Sequence, residues 1–227
     1  MSGMIRKLYG INYKIALLLM SVFFDSLITL NYAHAGILAQ TLARYQNTPM
    51  VESQIDKSVF TELLNKTKKQ SGKIYLAKEK IKIEFILPEK EMLLFDGSIL
   101  WTVQYLPEEL GGTHQVSRTK IEKKNRSQIL LGLLFDKSQF KKYFKLESEV
   151  VTDNKKKYSL SVLNKELKIN QVDIVINKEK KEIDSISYVD DLKNKTEFIL
   201  KEQIFHKDFK KDLFKYTPPK NAQVTNL

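Results

Sequence analysis

One stretch decides the fold: Leu93-Leu94-Phe95-Asp96-Gly97-Ser98-Ile99-Leu100-Trp101-Thr102-Val103-Gln104-Tyr105. Asp96-Gly97 lies between apolar residues, and this dipeptide predicts a type I′ hairpin turn, in which both central residues take a positive φ. After the turn, Trp101, Val103 and Tyr105 alternate with polar residues. Because a strand has a period of two, these three side chains lie on one of its faces. The stretch therefore predicts an antiparallel hairpin with the chain's one Trp on an apolar face.

The alternation of apolar and polar residues continues in both directions. Residues 81–87 set Ile, Phe and Leu against Lys and Glu, which predicts a half-buried antiparallel strand. Residues 51–59 predict a long first strand running towards Leu64, with a helix over 60–68 as the competing interpretation. Residues 113–121 predict another strand, and Phe214–Pro219 a final extended segment. Regular short strands with tight turns predict a meander that curls, and its later strands contain Leu146/Ser148/Val150, Tyr158/Leu160/Val162, Val172/Ile174/Ile176, Ile186/Tyr188 and Phe198/Leu200.

Three stretches have helical spacing, and the two at 37–46 and 129–135 are candidates for a lid over the sheet. Residues 37–46 predict a short amphipathic helix. Asn125 to Ser127 can cap an apolar helix over 129–135, and a second helix with Phe140 and Tyr143 follows. The fold class is therefore mainly β (α+β), a curled sheet with helices over an apolar hollow. The alternative, that these helices complete an ordinary core, stays open because apolar faces usually mean packing.

Residues 1–35 have the pattern of an export signal. Basic residues precede an apolar run at 15–24, and Ala33-His34-Ala35 is an A-x-A cleavage site that leaves Gly36 as the new N-terminus. An uncleaved anchor helix is the alternative, but Asp25 interrupts the run below the roughly 18 residues that a span needs. We expect one domain over residues 36–227. Cleavage removes three positive charges and one negative charge from a net +11 and leaves +9.

The sequence offers no residue set for catalysis, metal binding or cofactor binding. Hydrolase, Walker and dinucleotide motifs are missing, and the absence of Cys excludes disulfides and thiolate metal sites. His114 and His206 are far apart, and Glu108-Glu109 and Asp190-Asp191 fall in predicted turns. The lysines lie mostly on the polar side of strands and in turns, which is typical of a solvated face rather than of a nucleic-acid site. A positive surface favours transient contact with anionic lipid headgroups.

Three motifs in order give the sequence a family resemblance. Residues 48–226 resemble the LolA family of periplasmic lipoprotein carriers. The matching stretches are Gly72-Lys73-Ile74-Tyr75-Leu76-Ala77-Lys78 with Ile81-Lys82-Ile83-Glu84-Phe85, then Phe95-Asp96-Gly97-Ser98-Ile99-Leu100-Trp101, which resembles the family's "DGxxLW", and Phe214-Lys215-Tyr216-Thr217-Pro218-Pro219 with Val224, which resembles its closing "FxFxPPxxxxV".

The resemblance implies an incomplete antiparallel β-barrel whose helical lid covers a cavity for acyl chains. It implies a monomeric periplasmic carrier without enzymatic activity or cofactor, which takes acylated lipoproteins or other lipids from an inner-membrane release complex to an outer-membrane acceptor. A LolA-like lipid- or partner-binding module, either a sensor or a carrier of a non-lipoprotein lipid, with no lipoprotein shuttling role is the alternative. The family's lid-holding Arg-Pro pair corresponds here to Lys78-Glu79. Lys78 is thus the lid-latch candidate, although Lys lacks the planar fork of Arg.

The site prediction follows from the alternation and from the resemblance together. We expect one apolar surface to bind lipid, with Trp101→Glu reducing cargo loading without unfolding the domain. Its predicted members on the sheet are Ile83, Phe85, Trp101, Val103, Tyr105, Ile174 and Ile176, and those on the lid are Leu130, Leu134 and Phe135.

Overall fold

A computed structural model describes residues 36–107, 109, 111–122, 137–163 and 165–227. The chain divides into two units, residues 1–39 and 40–227, and only 36–39 of the first unit is described. The predicted export signal and the predicted helix over 129–135 lie outside the described residues. Among the helices that are described, none has the length and apolar character to cross a membrane.

Strands make up most of the described residues. The helices are α1 (Gly36–Asn47) and α2 (Lys137–Tyr143), with 3-10 turns at Lys165–Leu167 and Lys211–Phe214. The strands are β1 (Met50–Thr61), β2 (Lys66–Ala77), β3 (Lys80–Leu87), β4 (Glu91–Phe95), β5 (Ile99–Tyr105), β6 (His114–Lys120), β7 (Phe144–Thr152), β8 (Lys155–Val162), β9 (Ile169–Asn177), β10 (Glu182–Asp190), β11 (Lys195–His206) and β12 (Gln223–Asn226). The predicted helix over 37–46 and the later strand ladder are confirmed.

The strands form one sheet in the order β12-β6-β5-β4-β3-β2-β1-β11-β10-β9-β8-β7. Two antiparallel meanders, β1–β6 and β7–β11, are joined where β1 pairs with β11. The edge strands β7 and β12 do not pair with each other, so the sheet is curled but unclosed, which confirms the incomplete antiparallel barrel. The sequence predicted an extended C-terminus at 214–219, but not the short strand β12 that pairs in parallel with β6.

The central hairpin forms as predicted, but its turn is displaced by one residue. The Asp96 backbone N–H donates to the Ile99 carbonyl at 3.1 Å, so the two-residue loop is Gly97-Ser98. Of the two loop residues, only Gly97 has a positive φ, of 104°. The Asp96 side chain accepts hydrogen bonds from the backbone N–H groups of Ser98 and Ile99. The type I′ prediction is therefore wrong, because Asp96 ends the strand and caps the loop with its carboxylate.

The β1–β2 hairpin is longer than predicted. The competing helix over 60–68 is wrong, since β1 runs to Thr61 and β2 begins at Lys66. Lysines at both odd and even positions at the start of β2 mask the apolar–polar alternation that would predict a strand. Further along, Gly72 lies at a register shift against β3, where an added Cβ would overlap the Glu84 carbonyl oxygen. Close approach of two backbones therefore requires glycine at this position.

Candidate functional site

Cross-strand pairing decides which face of the sheet each predicted lining residue occupies, because directly paired residues share a face. Trp101 on β5 pairs with Leu94, and Leu94 pairs with Lys82 on β3. Trp101 therefore shares a face with Lys82. Ile83 and Phe85 are one and three residues further along β3, so they lie on the opposite face.

We call the face that includes Ile83 and Phe85 the isoleucine face. The register continues it through β2, β1, β11, β10 and β9 to β8. Ion pairs such as Lys157–Asp173 and Lys201–Asp56 lie on the other side of the same strands. Ile83, Phe85, Ile174 and Ile176 thus belong to one apolar surface. Its buried members are Val51, Ile55, Ile74, Leu76, Ile81, Ile83, Phe85, Tyr158, Leu160, Val172, Ile174, Ile176, Ile183, Ile186, Phe198 and Leu200.

We call the opposite side of β4–β6 the tryptophan face. Trp101 packs there with Met92, Leu94, Val103 and Val116. The C-terminal segment covers this cluster, since Phe214 is buried in it and the rings of Trp101 and Tyr216 meet edge to face at 5.4 Å.

The prediction that Trp101, Val103 and Tyr105 share a face with Ile83 and Phe85 is wrong. Alternation within a strand fixes only which residues of that strand point the same way. The relation between strands depends on register, and the register here sets the apolar side of β3 opposite to the apolar side of β5.

Tyr45 attaches the C-terminal end of α1 to the sheet. Its hydroxyl accepts a hydrogen bond from the Ile183 N–H at 2.9 Å and donates one to the side-chain carbonyl of Gln203. The Gln203 amide donates in turn to the Ile183 carbonyl at 2.9 Å. Burial raises the pKa of the Tyr45 hydroxyl well above its ordinary value. The closed set of bonds forms next to the register shift between Ile183 and Ser185.

Arg44 makes a second attachment beside Tyr45. Its guanidinium donates to the Lys180 carbonyl at 2.7 Å and lies 3.6 Å from the centroid of the Phe205 ring. It also pairs with the Glu182 carboxylate at 3.4 Å. The sequence does not predict the roles of Arg44 and Tyr45, because these depend on partners more than 130 positions away.

Lys78, the predicted latch, is exposed in the turn between β2 and β3. It lines a small hollow of about 30 Å³ with Tyr45, Gln46, Leu76 and Ala77, so it does lie beside the end of α1. Within the described residues it makes no hydrogen bond or ion pair, and its role stays a prediction. Arg44, rather than Lys78, binds a backbone carbonyl, that of Lys180, through its side chain. Leu130, Leu134 and Phe135 lie outside the described residues.

Lys57 places a positive charge on the isoleucine face. It pairs with Gln70 on β2 and Phe198 on β11, and its ammonium lies 5.5 Å from the Phe85 ring centroid. Gln70 donates to the Glu91 carboxylate at 2.8 Å. Burial lowers the pKa of Lys57, Glu91 partly opposes this, and Lys68 adds to it. Within the described residues, no carboxylate lies within ion-pair distance of the Lys57 ammonium.

Two surface hollows lined by described residues are polar. One of about 400 Å³ lies at the β5–β6–β12 edge, and one of about 300 Å³ lies between β1, β2 and β11. Amide, hydroxyl or charged side chains dominate both linings, which are Thr102, Gln104, Gln115, Val116, Ser117, Gln223 and Thr225 in the first and Glu52, Gln54, Lys73, Glu202, Gln203 and Ile204 in the second. Neither is the predicted apolar hollow.

The solved structures to which this chain is similar are distant from it in sequence. An uncharacterised conserved protein from Thermus thermophilus is 14% identical with a TM-score of 0.50, covering 83% of this chain and 98% of its own. A LolA superfamily protein from Nitrosomonas europaea is 9% identical with a TM-score of 0.41, covering 78% and 97%. The MucA/MucB complex of Pseudomonas aeruginosa gives 11% identity and a TM-score of 0.43, covering 86% and 64%.

Comparison with curated protein sequences gives no match. The model of the family described as "Outer membrane lipoprotein carrier protein LolA" matches residues 55–217, and since this is more than half of the 227 residues, the chain belongs to the LolA family.

Proposed function

We propose that this protein is a periplasmic carrier, without catalytic activity, that holds the acyl chains of lipoproteins or of other lipids against its isoleucine face. It takes them up at the inner membrane and delivers them to an outer-membrane acceptor. The observation that carries the proposal is the set of buried apolar side chains on one face from β3 to β8, in a sheet to which α1 is attached by side-chain contacts of its last turn. Membership in the LolA family supports it.

Hydrocarbon transfer needs no covalent step. Each buried CH₂ group contributes about 0.8 kcal/mol, so an acyl chain does not enter water unaided. It can move from a bilayer to an equally apolar protein surface at little net cost. The carrier therefore needs a face as apolar as lipid and a cover that can leave it.

The cover must move, because the isoleucine face is fully buried at several positions. Tyr158, Ile174, Ile176 and Ile186 each have 0% exposure. Residues 40–47 of α1 are held by Tyr45 and Arg44, whose polar bonds water can replace, and by the buried Leu42. We propose that this part of α1 swings away from Ile183 when cargo enters.

Cross-linking the helix to the sheet tests the proposal. The chain has no Cys, so Arg44→Cys with Lys181→Cys provides the only two thiols, which a reducible spacer can bridge. Uptake of lipid from vesicles, measured by mass spectrometry of the re-isolated protein, should stop in the bridged form and return on reduction. A matched pair within the sheet, Glu52→Cys with Lys73→Cys, joins neighbouring strands and should leave uptake unchanged.

A second function, a LolA-like binding module that carries no cargo, has one observation in its favour. Side chains at 0% exposure show that the central part of the isoleucine face is already covered. A module of this kind would take up no lipid in either bridged or reduced form. The carrier proposal fails on that result, and it also fails if the bridged and reduced forms take up lipid equally.

A further inference from the structure

Leucines occupy the tips of two turns at one end of the sheet. Leu63 is 92% exposed and Leu64 63% exposed between β1 and β2, and Leu192 is 76% exposed between β10 and β11. Leu163, just after β8, is 52% exposed. Turn tips normally hold polar residues, and an exposed leucine there contributes nothing to the folded core.

The turns that hold Leu63, Leu64 and Leu192 meet in one surface, which we call the leucine rim: residues 62–65, 165–168 and 190–194. The Glu62 N–H donates to the Asn194 side-chain carbonyl at 3.1 Å, and the Asp191 N–H donates to the Lys168 carbonyl at 3.1 Å. The rim lies at the end of β10 remote from Ile183, where α1 is attached. Seven residues of extended strand separate Ile183 from Asp190, or roughly 23 Å.

Hydrogen bonds hold the rim turns in shape. The Asp190 carboxylate accepts from the backbone N–H groups of Leu192 and Asn194 at 2.9 Å each and from the Asn194 side-chain amide at 3.0 Å. Leu192 is therefore presented to solvent by an ordered turn. A preorganised tip loses little conformational entropy when it binds.

The surroundings of the rim are basic. Residues 61–69, 163–168 and 189–195 contain seven lysines and four acidic residues. Lys66, Lys68, Lys69, Lys193 and Lys195 are all exposed. Exposed leucines next to lysines match the boundary of an anionic bilayer, where acyl chains lie beneath negatively charged headgroups.

We propose that the leucine rim docks the protein on an anionic lipid bilayer, with Leu63, Leu64 and Leu192 inserted at the headgroup boundary and the neighbouring lysines on the lipid phosphates. Docking at this end places the β1–β2 and β10–β11 turns at the membrane. It leaves the end where α1 is attached to the sheet facing away from it.

Site-specific labelling tests the contact directly. Single cysteines at Leu64→Cys, Leu192→Cys and, as control, Val151→Cys on the edge strand β7 are labelled with an environment-sensitive fluorophore. With vesicles of phosphatidylcholine and phosphatidylglycerol in equal parts, the first two should brighten and shift to the blue, and the control should not. No change at any position, or an equal change at all three, overturns the proposal.

Substitution separates the apolar contribution from the charged one. The triple change Leu63→Ser, Leu64→Ser and Leu192→Ser should weaken binding to these vesicles roughly ten- to a hundredfold. The matched control Val150→Ser, Val151→Ser and Ile204→Ser removes three exposed apolar residues elsewhere and should not weaken it. Equal loss in the two variants contradicts the proposal. Circular dichroism checks that both remain folded.

The lysines should matter only for charged membranes. Lys66→Gln, Lys193→Gln and Lys195→Gln should each weaken binding roughly fivefold on anionic vesicles and leave it unchanged on pure phosphatidylcholine. Lys155→Gln and Lys157→Gln, at the other end of the sheet, are the controls. Vesicle binding is measured without cargo uptake, so the rim proposal can fail while the carrier proposal stands, and the reverse.

Discussion

Replacing Tyr45 by Phe removes one oxygen atom from the attachment of α1. The lost hydroxyl accepts from the Ile183 N–H and donates to Gln203. Ile183 is 0% exposed, so water does not reach its amide in the folded state. A buried donor left unpaired costs about 1–3 kcal/mol, and we expect the free energy of unfolding to fall by that amount. The ring contact of residue 45 with Phe205 is retained.

Tyr216→Phe is the matched control for this change. The Tyr216 hydroxyl is buried and has no hydrogen-bond partner among the described residues. Its removal should therefore leave stability unchanged or slightly higher, since no bond is lost. Both variants exchange Tyr for Phe and keep the aromatic packing, so the comparison isolates the hydrogen bonds.

Urea unfolding followed by circular dichroism measures both variants. With a slope of roughly 2 kcal/mol per molar urea, Tyr45→Phe should lower the midpoint by roughly 0.5–1.5 M. Hydrogen exchange at the Ile183 amide should also accelerate, because its bond to α1 is gone. Equal midpoints for wild type and Tyr45→Phe would refute the reasoning, as would an equal loss in Tyr216→Phe.

Three further changes test the fold and the charge on the isoleucine face. Gly72→Ala should lower the free energy of unfolding, measured by thermal unfolding, by about 3 kcal/mol or more, because the added Cβ meets the Glu84 carbonyl. Gly36→Ala should not lower it, because a Cβ added there meets nothing within 4 Å. Trp101→Ala should lower the free energy of unfolding by about 3–5 kcal/mol and leave lipid loading per folded molecule unchanged, whereas the sequence alone led us to expect reduced loading in Trp101→Glu. Reduced loading in the folded fraction would show that Trp101 contacts cargo. Burial lowers the pKa of Lys57 below its ordinary 10.5, so between the folded-state and unfolded-state pKa values the unfolded state binds more protons, and the free energy of unfolding should rise with pH. Melting temperatures of Lys57→Met measured across this pH window should lack the rise, and the same rise in wild type and variant would contradict the prediction.

Local pattern was sufficient to predict most strands. Strands β3, β9 and β11 alternate over most of their length, because one side of each meets a core and the other meets water. The pattern failed at Lys66–Gln70, where lysines occupy both parities of β2. It also failed at β12, whose four residues are all exposed and whose pairing with β6 gives no apolar signal.

Contacts between distant parts of the chain were beyond the sequence. The pairing of β1 with β11 joins residues about 150 positions apart, and the sequence of neither strand indicates which strand it pairs with. Arg44 and Tyr45 likewise depend on Lys180, Ile183 and Gln203. A single sequence shows which residues are apolar, but it does not show which of two faces each strand turns towards a given neighbour.

The split between the two faces changes what the family resemblance means. Trp101 of the "DGxxLW" stretch and Phe214 and Tyr216 of the closing stretch meet in one cluster, and Tyr75 and Ala77 of the first stretch pack against it. These residues hold the C-terminal segment on the tryptophan face, whereas the other apolar residues of the first stretch lie on the isoleucine face, namely Ile74, Leu76, Ile81, Ile83 and Phe85. The packing of Trp101, Phe214 and Tyr216 therefore belongs to the shared fold, whereas the face that we propose to hold cargo carries residues of the first stretch together with Lys57. A search for cargo-determining substitutions should accordingly begin on the isoleucine face, at Lys57 and at first-motif positions such as Ile83 and Phe85.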